Sequence, residues 1–130
     1  MYLVRRNEGP TKPLGSRGIA HKLLTPGAGA GSQYLELYVN RLDAGSGPGP
    51  YHYHSNADNI WFVLDGQGEV TVDGERFPVA PGDMLCLAPG ERHDIENTGS
   101  GELRVLEIKV PSGSDFVTVE DERPVRTERA

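Results

Sequence analysis

Turn signals cut this chain into short apolar runs, and that pattern limits its fold more than any other feature. Asp65-Gly66, Asp73-Gly74, Pro81-Gly82 and Pro89-Gly90 follow one another with a short run between each pair. Asp-Gly suits a tight hairpin, whose central residues need left-handed backbone, and Pro fixes φ while removing a ladder donor. The runs at residues 60–64, 68–72, 75–79, 84–87 and 93–96 have the length of strands. Runs at 19–24, 33–42 and 103–110, with shorter ones at 2–5 and 116–119, extend the pattern. Residues 7–18 read as a surface loop and the Gly-rich 25–32 as a turn. No stretch has a period of 3.6, and there is no internal repeat. The sequence predicts an all-β sandwich or barrel of roughly nine to eleven strands with little or no helix.

Two strands carry finer information. In residues 33–42, Leu35, Leu37 and Val39 alternate with Tyr34, Glu36, Tyr38 and Asn40, giving one apolar and one mixed face. Residues 60–64 are apolar on both faces, so a second layer or a partner subunit should cover them.

The chain has 130 residues, of which 36% are hydrophobic, enough for one modest core. A net charge of −6 disfavours nucleic acid and anionic membranes as partners. The one cysteine, Cys86, cannot form an internal disulfide, and its apolar strand suggests a small buried hydrophobe. The apolar start after Met1 is too short for a signal peptide and no run reaches membrane-spanning length, so a cytoplasmic protein is expected. Residues 121–130 are charged and read as a loose tail, which leaves 1–120 as the domain.

The chemistry centres on histidine. His52 and His54 stand two apart, so in a strand they point the same way while Tyr53 points the other. Such a pair suits a metal or a shared anion, and it also occurs as two polar residues on an ordinary strand. A third histidine, His93, opens the strand after Pro89-Gly90, whereas His21 lies apart and reads as a satisfied or surface residue.

At Pro48, Gly49, His52, His54 and Gly66, and again at Gly82, Gly90, His93 and Asn97, the chain resembles a small single-domain cupin. Ala88 stands at the second motif's proline, with Pro89 beside it. The resemblance implies a jelly-roll β-barrel holding one divalent transition metal (Fe, Zn, Mn, Ni or Cu) on His52, His54 and His93. Counting back from Gly66, the family's acidic ligand falls on Asn59, so the fourth donor is a neutral amide oxygen or water. Restoring the acid with Asn59→Glu is expected to tighten metal binding. Strand parity puts Trp61 and Val63 on the metal side with Asn59, and Leu85 and Leu87 are expected to line the cavity with them. A neutral ligand set leaves the ion its full charge, which favours an anionic, chelating small organic substrate such as a carboxylate or enolate. The resemblance implies a metal-dependent enzyme, oxygenase-like or of the isomerase or cyclase type. The alternative is a non-enzymatic binding or sensor protein. A general base inside the barrel would favour the enzyme, and Glu36 and Glu107, both on well-defined strands, are the candidates for it. Asn97 is expected to fix the turn after its strand, and the chain is expected to form a homodimer with Phe62 at the interface.

Overall fold

The computed structural model describes residues 1–5, 8–26 and 30–123. After β1 (Thr11–Pro13) and β2 (Gly18–Leu24), a 3-10 turn at Ala30–Gln33 leads into β3 (Glu36–Leu42). Next come β4 (His52–Tyr53), β5 (Asp58–Asp65), β6 (Gly68–Val72), β7 (Glu75–Val79) and β8 (Met84–Leu87). The order closes with β9 (His93–Asn97), β10 (Leu103–Val110) and β11 (Val117–Thr118). No helix among the described residues is long and apolar enough to cross a membrane.

The strands form two antiparallel sheets, β1-β2-β3-β10-β5-β8 and β11-β4-β9-β6-β7. Leu42, Trp61, Val63, Val70, Val79, Leu87, Ile95, Leu103 and Val105 fill the space between them. Two packed β-sheets are what the turn pattern predicts, and their jelly-roll form is what the family resemblance implies; burying each large side chain contributes about 1.5–3 kcal/mol.

The register of three adjacent strands positions the site. β10 lies between β3 and β5. Along its inner face Leu103 sits beside Leu42, and Val105 beside Asn40 and Val63. Glu107 then sits beside Tyr38 and Trp61, and Lys109 beside Glu36 and Asn59. The inner face therefore turns from apolar to polar along the strands, with a core at one end and a polar cavity at the other.

Several local expectations change. Residues 2–5 form no strand, while Thr11–Pro13 pairs with β2 inside the expected loop. The strand expected from residue 33 begins at Glu36, and the last one shortens to Val117–Thr118. On β3 the mixed face turns inward, because its Glu36 and Tyr38 find partners inside the barrel. Cys86 is exposed, since β8 presents it to the outer face of its sheet. Of the expected tail, Asp121–Arg123 lies against the barrel: Tyr51 donates to Glu122 at 2.7 Å and Arg123 to Asp94 at 2.7 Å. Tyr51 points away from the His52 side, as alternation requires, yet is buried beneath this segment. Residues 124–130 lie outside the described residues.

Candidate metal centre

His52 and His93 face each other across the β4–β9 pair, and His54 follows two residues along. Their ring centroids are 4.5 Å (His52–His93), 5.0 Å (His52–His54) and 5.3 Å (His54–His93) apart. One nitrogen from each ring lies within 4.8 Å of the others. Two nitrogens on one zinc at about 2.0–2.1 Å are separated by at most about 4.2 Å, so movements of several tenths of an ångström gather all three.

The other ring nitrogens decide the tautomer. His52 Nδ1 meets Pro50 O at 2.8 Å and His93 Nδ1 meets Glu91 O at 2.8 Å, while His54 Nδ1 is bonded to Asp115 O. A carbonyl oxygen only accepts, so each Nδ1 carries the proton and each Nε2 keeps a lone pair. His54 Nε2 and His93 Nε2 are buried with no hydrogen-bond partner among the described residues, and so is Asn59 Oδ1. Buried acceptors without donors are costly, and a cation among them removes that cost. The residues therefore fit a divalent metal.

Burial also keeps His52 and His93 neutral. It pushes His52 down to about 3, against acceptance by Pro50 O, and the charges of His93 and His54 lower it further. Burial likewise takes His93 to about 4. The loop that orients His54 is itself fastened. Glu36 accepts from Gly113 N at 2.8 Å and Ser114 N at 3.1 Å, and Asp115 holds Ser55 through both its backbone and hydroxyl.

A cavity of about 460 Å³ opens beside the histidines. His52, Trp61, Glu107, Lys109, Lys12 and Phe116 are among its walls. Phe116 stacks on His52 with centroids 3.9 Å apart, and Trp61 meets His93 edge-on at 5.2 Å. Val63 and Leu87 pack in the core between the sheets, and Leu85 packs against it. Asn59 is buried on the inner face of β5. Asn97 ties its turn through Gly101 O at 2.8 Å and Gly99 N at 2.9 Å.

Half-buried Glu107 draws these parts together. Its Oε2 accepts from Asn59 Nδ2 at 3.0 Å and Trp61 Nε1 at 2.9 Å, and its Oε1 from Asn40 Nδ2 at 2.9 Å. Burial alone would raise this carboxyl, but the Lys109 charge and the bonds from Trp61, Asn40 and Asn59 outweigh it and hold the acid below the usual carboxylate range. At the cavity edge, burial pushes Asp94 up to about 6 in spite of Arg17 and Arg123. Sequence reasoning placed Phe116 in a strand and had no role for Lys12, Lys109 or Asp94. The signal for Lys109 lay in β10, where Glu107 and Lys109 share the parity of Val105.

Comparison with known proteins agrees with the geometry. The polyketide synthase CurC of Streptomyces cyaneus is 33% identical over 93 residues, which cover 68% of this chain and 56% of CurC. The oxalate-binding protein of Thermotoga maritima is 35% identical over 68 residues, 52% of this chain and 55% of that protein. The chain thus spans about half the length of these curated relatives. The polyketide cyclase RemF of Streptomyces resistomycificus shares the fold, with a TM-score of 0.77 at 21% identity over 92% of this chain and 86% of RemF. The family model of the cupin domain matches residues 38–109, which include all three clustered histidines, and the chain belongs to the cupin family.

Proposed function

We propose that the protein is a metal-dependent enzyme acting on a small organic anion. One divalent transition ion is held by His52, His54 and His93, with Asn59 as a fourth donor. The observation that carries this reading is the fixed tautomer of the three rings: every Nδ1 is bonded to a backbone carbonyl, which leaves the Nε2 lone pairs for a metal. Bound there, a divalent ion would supply Lewis-acid polarisation of a substrate carbonyl or carboxylate.

The chain's own residues support an anion as ligand. Lys12 and Lys109 line the cavity, and each ammonium lies over the Tyr38 ring, at 5.5 and 5.3 Å. Arg17 is committed elsewhere, to Gly47 O, Ile95 O and Asp94. The name of one relative, an oxalate-binding protein, supports a small organic anion as ligand. Glu107 supports catalysis over simple binding. Its Oε2 is filled by two donors, but its Oε1 takes one and keeps a lone pair on a residue that lines the cavity. A carboxylate there can take a proton from a substrate carbon next to a polarised carbonyl, which is isomerase- or cyclase-type chemistry.

Elemental analysis of protein purified without added metal should find one ion per chain, and His93→Ala should lose it. Oxalate, used as an anionic probe, should bind only the loaded protein, and Lys109→Met should weaken it several-fold, on the order expected for one charged contact. Loaded protein should exchange the α-proton of a β-dicarbonyl probe with heavy water without dioxygen, and Glu107→Gln should slow the exchange at least about 100-fold. A strict need for dioxygen would assign oxygenase chemistry instead, and tight binding without exchange or turnover would leave a binding protein.

A further inference from the structure

We infer that Glu107 is the positioning residue of the metal centre. It holds the Asn59 amide so that the carbonyl oxygen, on a position where the family pattern has an acid, is presented as the fourth donor beside the three histidines. The inference rests on the reading above that the histidines bind a metal.

The orientation of Asn59 follows from its neighbours. Its Nδ2 meets Glu107 Oε2 at 3.0 Å and Ile108 O at 3.3 Å. Both are pure acceptors, so turning the amide over would set a third oxygen against two others. The amide is planar, and fixing its NH2 group toward β10 therefore fixes Oδ1 on the opposite side. That oxygen is buried and has no hydrogen-bond partner among the described residues, the same condition as His54 Nε2 and His93 Nε2. Such an oxygen is costly unless something meets it, and a cation would meet it as it would meet the two imidazole nitrogens.

Glu107 is suited to this role because it is itself immobilised. Trp61 and Asn40 hold it from β5 and β3, the strands on either side of its own. Trp61 in turn abuts His93. Substitution of residues that orient metal ligands usually lowers metal affinity 10–100-fold.

The test is a double-mutant cycle on metal-free, full-length protein titrated with cobalt(II), read by calorimetry and by the visible absorption of the bound ion. Asn59→Ala and Glu107→Ala should each weaken binding by about 10–100-fold. The double variant should bind no more weakly than Asn59→Ala alone, and all three should share one altered cobalt spectrum. Glu107→Gln still offers an oxygen to Asn59 and Trp61, so it should keep most of the affinity and the wild-type spectrum. Glu107→Leu, which fills a similar volume, takes the place of the alanine variant if that variant does not fold. Multiplicative losses in the double variant would overturn the proposal, as would an Asn59→Ala protein with wild-type affinity and spectrum. His93→Ala separates the two levels. If it too binds cobalt(II) as wild type does, the metal reading itself has failed, not only the role of Glu107.

Discussion

Burial fixes the protonation of His52 and His93, and that has a consequence for acid stability. In the folded chain His52 is lowered to about 3 and His93 to about 4 from an ordinary 6.5. Below 6.5 the unfolded chain takes up protons that the folded chain refuses, so the metal-free protein loses stability as pH falls from 6.5 toward about 4. Each ring contributes about 1.4 kcal/mol per pH unit in its window. Asp94 acts the other way, because its folded value of about 6 exceeds the ordinary 3.8 and the folded state takes up that proton first. The net slope between about pH 4 and about pH 6 should then be that of about one ring. Urea unfolding of metal-free protein at about pH 7.5 and about pH 5 measures it, and His93→Asn should flatten the curve. Stability that did not change over this range would reject neutral buried rings. Residue 59 carries a second prediction. Motif spacing alone would have Asn59→Glu tighten metal binding, but the new carboxylate would press against Glu107 Oε2, now 3.0 Å from Nδ2, so the single substitution should change metal affinity little. Paired with Glu107→Gln it should tighten binding, which titration with zinc would reveal. The three histidines and Asn59 were legible as residues because motif spacing and strand parity are local properties. The Asn59–Glu107 bond was not, because it depends on β10 pairing beside β5, and nothing in either strand names its neighbour.

The strands themselves were readable where turn chemistry brackets them. Gly68–Val72, Glu75–Val79 and Met84–Leu87 fall where the Asp-Gly and Pro-Gly signals put them. The ends were harder. Thr11–Pro13 contains a proline and is exposed throughout, so it carries no hydrophobic pattern and owes its strand form to pairing with β2. Tyr2 and Leu3 are apolar but find no strand partner and remain exposed. Two of the turn glycines separate backbone strain from crowding. Gly66 has φ of 90°, and a Cβ there would lie 2.5 Å from Glu102 O on the β10 side. Gly74 has φ of 85° but open space around it. Gly74→Ala should therefore cost only the strain of about 1 kcal/mol, whereas Gly66→Ala should cost about 2–4 kcal/mol as the neighbouring backbone is displaced. Thermal unfolding of the two variants side by side should rank them in that order, and equal losses would mean that the contact with Glu102 yields freely.

At the scale of the molecule, the outer face of the larger sheet is apolar across four strands. One row runs Val39, Leu106, Phe62 and Met84, and the next runs Leu37, Ile108, Ile60 and Cys86. Phe62 is 39% exposed and Met84 60% exposed in the single chain. A continuous face of this kind is what an interface leaves uncovered, and a second copy related by a twofold axis would place the rows against each other. We therefore expect a homodimer through this face. Light scattering at micromolar concentration should give twice the chain mass, and Phe62→Glu should give one chain mass with the metal site intact. A wild-type monomer would reject the assignment. The same face carries a built-in reporter. Cys86, the only thiol in the chain, is exposed on β8 beside Ile60. A maleimide dye should react with it slowly in concentrated samples and faster on dilution, so the labelling rate would trace the dissociation curve without any engineered probe. Once coupled, the dye would also act as a wedge that keeps the labelled chains apart.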